Sequence, residues 1–264
     1  MNNAQVGIKS LLSNWQQNTI KTASELKQEG YYNQLLNKYH KSGWLDSPAY
    51  GIYTKPGAKI SWLSVINLLQ KLSKPIHVGA MSALKLHGII QYVTFNEEKE
   101  ELFILNSSGR KWYLPKWFSV MVKNYEYHQI DLFKENKYGF VKYAESDIEV
   151  TVSSPERAIL ELLYFVPKLV TYEHAYELID GARVLVPTLV QKLLEDCTSI
   201  KVKRLFLYLA DKHNLPCFEY LDINKINLGA GDRLISGGGK YSAKYKISVP
   251  VISGAEDEEG IGYV

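Results

Sequence analysis

Cysteine is nearly absent from this 264-residue chain, which carries only Cys197 and Cys217. With no secretory leader ahead of them, the two are read as free thiols, buried or inert, and a disulfide framework is excluded. Long hydrophobic runs are missing as well. Apolar stretches such as 158–166 are interrupted by charge and fall far short of the ~20 residues that cross a bilayer. A soluble, cytoplasmic protein without a membrane partner is expected. Catalytic and metal motifs are also lacking. The six histidines, His40, His77, His87, His128, His174 and His213, are scattered, with neither the HExxH spacing nor the Cys/His grouping that zinc requires. His77 and His87 flank one short unit and are read as satisfied structural histidines. There is no GxSxG elbow and no carboxylate pair in an obvious turn to hold two metals. The glycine-rich run 229–240 invites a phosphate-loop reading, but Leu234 stands where the first glycine is needed and Tyr241 where Ser or Thr would meet magnesium. A turn between strands accounts for it better. No cofactor, no metal and no enzymatic activity are expected.

What the chain does contain begins at 19–55, where the parts of a winged helix-turn-helix follow one another in order. Thr22 is placed to cap a helix over 23–29 that ends at Gly30, and a second helix over 31–41 ends at Gly43. Two strand-like runs, 44–46 and 51–54, flank the turn-forming 47–50 and make a wing. The second helix has two unlike faces. Leu35, Leu36 and Tyr39 recur at helical spacing and are expected to pack against Leu11, Leu12, Trp15 and Leu26. Opposite them, Asn33, Asn37 and Lys41 lie four apart, with Gln34 and Lys38 on the neighbouring row. Carboxamides pair bidentately with adenine in a major groove, and lysines neutralise phosphate. A bare polar stripe is usually a solvated face; the turn before it and the wing after it make it a reading face. Tyr32, Tyr50 and Lys55 complete the candidate DNA-binding set.

Charge points the same way. Residues 1–59 hold seven lysines against Glu25, Glu29 and Asp46, a net +4, whereas the whole chain carries +3. The excess therefore lies in the first quarter, as expected where that quarter meets a polyanion.

The expected fold class is α+β, an N-terminal winged helix-turn-helix followed by a larger mixed α+β C-terminal domain. The boundaries are 1–59 for the DNA-binding domain, 60–250 for the second domain and 251–264 for an acidic, flexible tail. Lys55-Pro56-Gly57 marks the break. An amphipathic helix over 61–72 and a strand-to-helix unit over 75–88 precede strands at 91–95, 101–105, 125–132, 139–143 and 148–152, expected to be antiparallel. Helices follow over 155–165, 172–180, 187–196 and 200–212. Ser154 is the expected cap of the first, with Pro155 in its first turn. Strands followed by helices, rather than alternation, indicate α+β. Lys201, Lys203 and Arg204 crown the last of these helices, either as a second phosphate contact or as a solvated helix end with local ion pairs. The tail Glu256-Asp257-Glu258-Glu259 is read as solubilising.

These segments carry a resemblance. Residues 39–45 (Tyr-His-Lys-Ser-Gly-Trp-Leu), 75–79 (Pro-Ile-His-Val-Gly), 83–88 (Ala-Leu-Lys-Leu-His-Gly) and 153–158 (Ser-Ser-Pro-Glu-Arg-Ala) share in it. So do 200–207 (Ile-Lys-Val-Lys-Arg-Leu-Phe-Leu), and 239–241 with 245–250. Together, in this order, they resemble the AbiEi family, the antitoxins of AbiE abortive-infection systems. The acidic extension after Pro250 departs from that pattern. The resemblance implies a winged helix that represses the antitoxin–toxin operon at inverted repeats in double-stranded promoter DNA. It implies also a C-terminal domain that counters a nucleotidyltransferase-like toxin, and it leaves direct contact between the two open. Repeated operators imply a monomer or weak dimer that binds DNA cooperatively, with the Lys201 patch a candidate second contact. Two other classes stay open: a regulator whose C-terminal domain senses a ligand, and an enzyme carrying a DNA-targeting module, which the missing carboxylate motif disfavours.

Overall fold

The computed structural model describes residues 7–90, 102–236 and 239–252. The strand expected at 91–95, and the tail from 253 onward, lie outside the described residues. The chain divides into two compact units, the first from 1–82, 92–131 and 140–153, the second from 83–91, 132–139 and 154–264.

The first unit opens with α1 (Ile8–Ser13), β1 (Lys21–Thr22), α2 (Ala23–Gln28), α3 (Asn33–Lys41), β2 (Asp46–Ala49) and β3 (Ile52–Thr54). Local chemistry sets each boundary. The Thr22 hydroxyl accepts from the Glu25 amide at 3.1 Å while the Glu25 carboxylate accepts from the Thr22 amide at 2.7 Å, a reciprocal capping box. Both helices end alike. Gly30 and Gly43 take φ of 95° and 74°, and the next residue reaches back, Tyr31 to the Leu26 carbonyl and Trp44 to the Tyr39 carbonyl, the closure that glycine in the left-handed region permits. The strands form an antiparallel sheet in the order β1-β3-β2. The wing turn is not at 47–50 as expected. It lies at Tyr50-Gly51, and Pro48 sits within β2. As the outer strand, with an irregular register between Asp46 and Ala49, β2 tolerates a residue without an N–H. Beneath, Leu11, Trp15, Leu26, Tyr31, Leu36, Tyr39, Leu45 and Tyr53 form one core, with Leu12 and Leu35 packed against it.

The same unit continues through α4 (Trp62–Lys71), β4 (His77–Val78), α5 (Ala80–Leu86), β5 (Leu102–Asn106), α6 (Phe118–Met121), β6 (Tyr125–Gln129), β7 (Phe140–Glu145) and β8 (Ile148–Ser153). α5 straddles the division between the units. Its sheet runs β6-β5-β4-β8-β7 and is mixed, not antiparallel: β4 pairs with β8, and β5 with β6, in parallel. Strand direction depends on distant partners, which alternation along one segment does not encode. α4 is buried along both faces from Leu63 to Leu69, rather than on one stripe. Its polar residues are consumed by backbone. Ser64 Oγ donates to the Asn18 carbonyl at 2.9 Å, Asn67 to that of Glu149 at 2.6 Å, and the Gln70 carboxamide both donates to and accepts from Thr151.

In the second unit, α7 (Pro155–Phe165), α8 (Tyr172–Asp180), α9 (Pro187–Asp196) and α10 (Ile200–Lys212) begin and end where periodicity and caps placed them. A small sheet, β9 (Arg233–Leu234), β10 (Lys240–Ser242) and β11 (Ile247–Val249), follows in the order β10-β11-β9. Ser154 occupies the N-cap of α7, but its side chain makes no capping bond. One turn further, Arg157 is wholly buried. Its guanidinium donates to Glu161 at 2.7 Å, to the Tyr138 carbonyl at 2.9 Å and to the Asn136 side chain at 2.6 Å, over the Phe133 ring. Gly139 lies so close that a Cβ there would stand 2.8 Å from that of Arg157.

Removing Arg157 leaves the buried Glu161 carboxylate without this partner. Arg157→Ala should lower stability by about 3–5 kcal/mol in urea unfolding, whereas Arg157→Met with Glu161→Leu should recover most of it. A double variant no more stable than the single one would contradict the account. Cys197 and Cys217 are buried and unbridged, and burial pushes both thiols up to about 11. At pH 8 iodoacetamide should therefore alkylate neither in the native protein and both in urea, as read by mass spectrometry.

Candidate nucleic-acid interface

The inner residues of α3 dictate what its outer face presents. Leu36 is fully buried and Tyr39 nearly so, which rotates Asn33, Gln34, Asn37, Lys38 and Lys41 outward, all exposed. Among the described residues none of these five side chains has a hydrogen-bond or ion-pair partner, so amides and ammonium groups stand ready for an external one. Asn33 and Gln34 occupy the first turn, the end from which a recognition helix meets base edges. Lys38, His40 and Lys41 lie in the last turn, where cations also offset the helix dipole. His40 is held locally, its Nδ1 3.0 Å from the Leu45 carbonyl. Tyr32, the N-cap residue, is 57% exposed. Tyr50 projects from the wing tip wholly exposed, and Lys55, just past β3, is partly covered.

Two features of this surface escape a reading of the sequence. Trp44, directly after the helix-stopping Gly43, is half exposed while its neighbour Leu45 is fully buried; the alternation of a strand entry was the available signal. Lys21, counted above in the basic excess, is ion-paired with Glu29. Burial raises the Tyr39 and Tyr53 phenols above their ordinary value, so neither adds negative charge beneath the face.

The Lys201 patch is built otherwise than expected. Lys203 and Arg204 are 2% and 1% exposed. Lys203 donates to the Asn227 carbonyl at 3.1 Å. Arg204 donates to those of Leu228 at 2.9 Å, Gly229 at 3.2 Å, Gly231 at 2.6 Å and Lys246 at 2.8 Å. Lys201 donates to the carbonyls of Tyr164 and Val166. Desolvation lowers the pKa of Lys201 and Lys203. Lys203 and Arg204 are not a solvated helix end: they clasp the glycine-bearing loop of residues 227–231, whereas Lys201 is only partly buried. Elsewhere in this unit a shallow cleft is lined by Tyr172, Tyr176, Tyr208, Lys212, Lys240 and Pro250. Among the described residues no group of three or more His, Cys, Asp or Glu is arranged to hold a metal, and no helix is long and apolar enough to cross a membrane.

Comparison with known proteins covers almost the whole chain. Among curated proteins none matches. The crystal structure of the RV2827C protein from Mycobacterium tuberculosis is similar with a TM-score of 0.64 and 14% identity, over 91% of this chain and 88% of that one, a likeness of fold. Residues 4–95 match the family described as a transcriptional regulator, AbiEi antitoxin N-terminal domain. Residues 99–250 match the one described as a transcriptional regulator, AbiEi antitoxin, of a type IV toxin–antitoxin system. With both halves accounted for, the chain belongs to the AbiEi antitoxin family of transcriptional regulators.

Proposed function

We propose that this chain is the antitoxin of a bacterial type IV pair. In this reading residues 1–59 repress its own operon by binding inverted repeats in promoter DNA, while residues 60–250 counter a nucleotidyltransferase-like toxin. The observation that carries the DNA half is the outward face of α3, where three carboxamides and two lysines lie exposed, without partners among the described residues. The amides have the donor–acceptor pattern that pairs with adenine, and the lysines supply the salt-dependent attraction to phosphate. Tyr32, Tyr50 and Lys55 flank that face. Two protomers on a repeated operator would place two copies of α3 about one helical turn apart. A regulator that senses a small ligand is the second reading, favoured by the tyrosine- and lysine-lined cleft of the second unit. Saturable binding of a cell-extract metabolite that changes DNA affinity would establish it.

Replacing Lys38 and Lys41 with Ala should reduce the slope of log affinity against log salt by about 1–2 units on promoter DNA, since each phosphate contact contributes about 0.9. An unchanged slope would remove α3 from the interface. Asn33→Ala or Asn37→Ala should instead leave the slope alone and relax preference at one base pair by about 1–3 kcal/mol, measured by competition with single-base operator variants. Rescue from the toxin in cells should persist in all three variants at normal antitoxin levels. Its loss in every one would show that the two activities are not divided by domain.

A further inference from the structure

A second basic segment lies in the first unit, outside the winged module. From Leu102 to Tyr125 the chain contains no Asp or Glu but carries Arg110, Lys111, Lys116 and Lys123, interleaved with Trp112, Tyr113 and Trp117. All four cations are exposed, and among the described residues none pairs with a carboxylate. An ordinary solvated surface intersperses both signs; here 24 consecutive residues present one.

The backbone beneath those cations is built rather than loose. The buried Asn106 side chain donates to the Arg110 carbonyl at 2.9 Å and accepts from the Ser108 amide at 3.0 Å, and Gly109 takes φ 68° to close the turn. The Trp112 carbonyl accepts from the Tyr127 hydroxyl at 2.6 Å and the Gln129 side-chain Nε2 at 3.0 Å, both on β6. Trp112 packs edge-on against Tyr127, with the Lys74 ammonium 5.9 Å above its ring. Further on, the fully buried Phe118 packs edge-on against Tyr125 at 5.0 Å. The segment is thus anchored at both ends to the sheet while its charged groups point outward. Its helix α6 packs against β2, the outer strand of the wing, which brings the Lys116–Lys123 end of the segment beside the proposed DNA-binding module within one compact unit.

We propose that Arg110, Lys111, Lys116 and Lys123 form a phosphate-tracking platform that holds the backbone of the same duplex beyond the wing. This rests on the DNA-binding reading of α3 and adds a second contact to it. The platform carries no sequence information, because phosphates are alike at every base pair; its role is to add affinity and hold register. Double-stranded DNA suits it better than a membrane surface. Trp112 and Trp117 are partly buried against the protein rather than offered for insertion, and the cations follow an ordered backbone next to the wing.

The test uses the full-length chain, a long duplex from upstream of its gene and an unrelated duplex of equal length. Exchanging all four cations for Gln should lower the salt slope by about 2–4 units on both duplexes and leave their affinity ratio within about two-fold, at roughly 0.9 per phosphate. Lys116→Gln alone should lower it by about one unit, which keeps the test sound should the quadruple variant unfold. A slope unchanged in these variants but lowered by Lys38→Ala with Lys41→Ala overturns the platform and leaves the α3 reading intact. Failure of the wild-type chain to bind either duplex overturns both. Cosedimentation with phosphatidylglycerol vesicles that the quadruple variant loses, with its DNA salt slope unchanged, assigns the surface to anionic lipid instead.

Discussion

An arginine carries five N–H donors and does not shed its charge, so burying one obliges the chain to deliver acceptors to it. The second unit does this twice. Arg157 gathers the Glu161 carboxylate, the Asn136 side chain and the Tyr138 carbonyl. Arg204 meets no carboxylate among the described residues and is solvated by four backbone carbonyls from residues 228–231 and 246. In a medium of low dielectric these bonds are strong and their loss is expensive, so each cation sets the course of a loop that has little apolar content of its own. The helices of the unit supply the apolar core. The two guanidiniums determine how the intervening chain is laid over it.

The same constraint gives physical meaning to the segments that first suggested the family. In 153–158, Glu156 accepts from the Val186 amide at 2.9 Å and Arg157 binds 136–138. In 200–207, Lys203 and Arg204 hold the 227–231 loop. Glu156, Arg157, Lys203 and Arg204 are all buried. A buried cation with several acceptors is costly to replace, because its removal leaves those acceptors unpaired.

Much of the architecture was legible in local chemistry. The bounds of α7 to α10 follow from apolar periodicity with Pro at the first turn or Ser/Thr at the cap, and α2 from its Thr22–Glu25 box. The outward set of α3 could be named because Leu36 and Tyr39 declare the inward one. The wing turn was misplaced because Pro48 reads as a turn residue, yet an outer strand accepts it. The mixed sheet was missed because its parallel pairs, β4 with β8 and β5 with β6, join strands far apart in the chain. Net charge per domain concealed the acid-free run from 102 to 125, since acidic residues elsewhere cancel it in the sum.

Periodicity, capping pairs and helix-stopping glycines are interactions among residues a few positions apart, and they determined on their own where the helices lie and which face of α3 is polar. The fate of a charge is of another kind. Lys203 and Arg204 read in the chain as a basic helix end like Lys38 and Lys41, yet the first pair is buried against carbonyls from residues 227–246 and the second is exposed. Whether a cation meets solvent or backbone depends on which distant segment packs over it, and only the tertiary structure decided that.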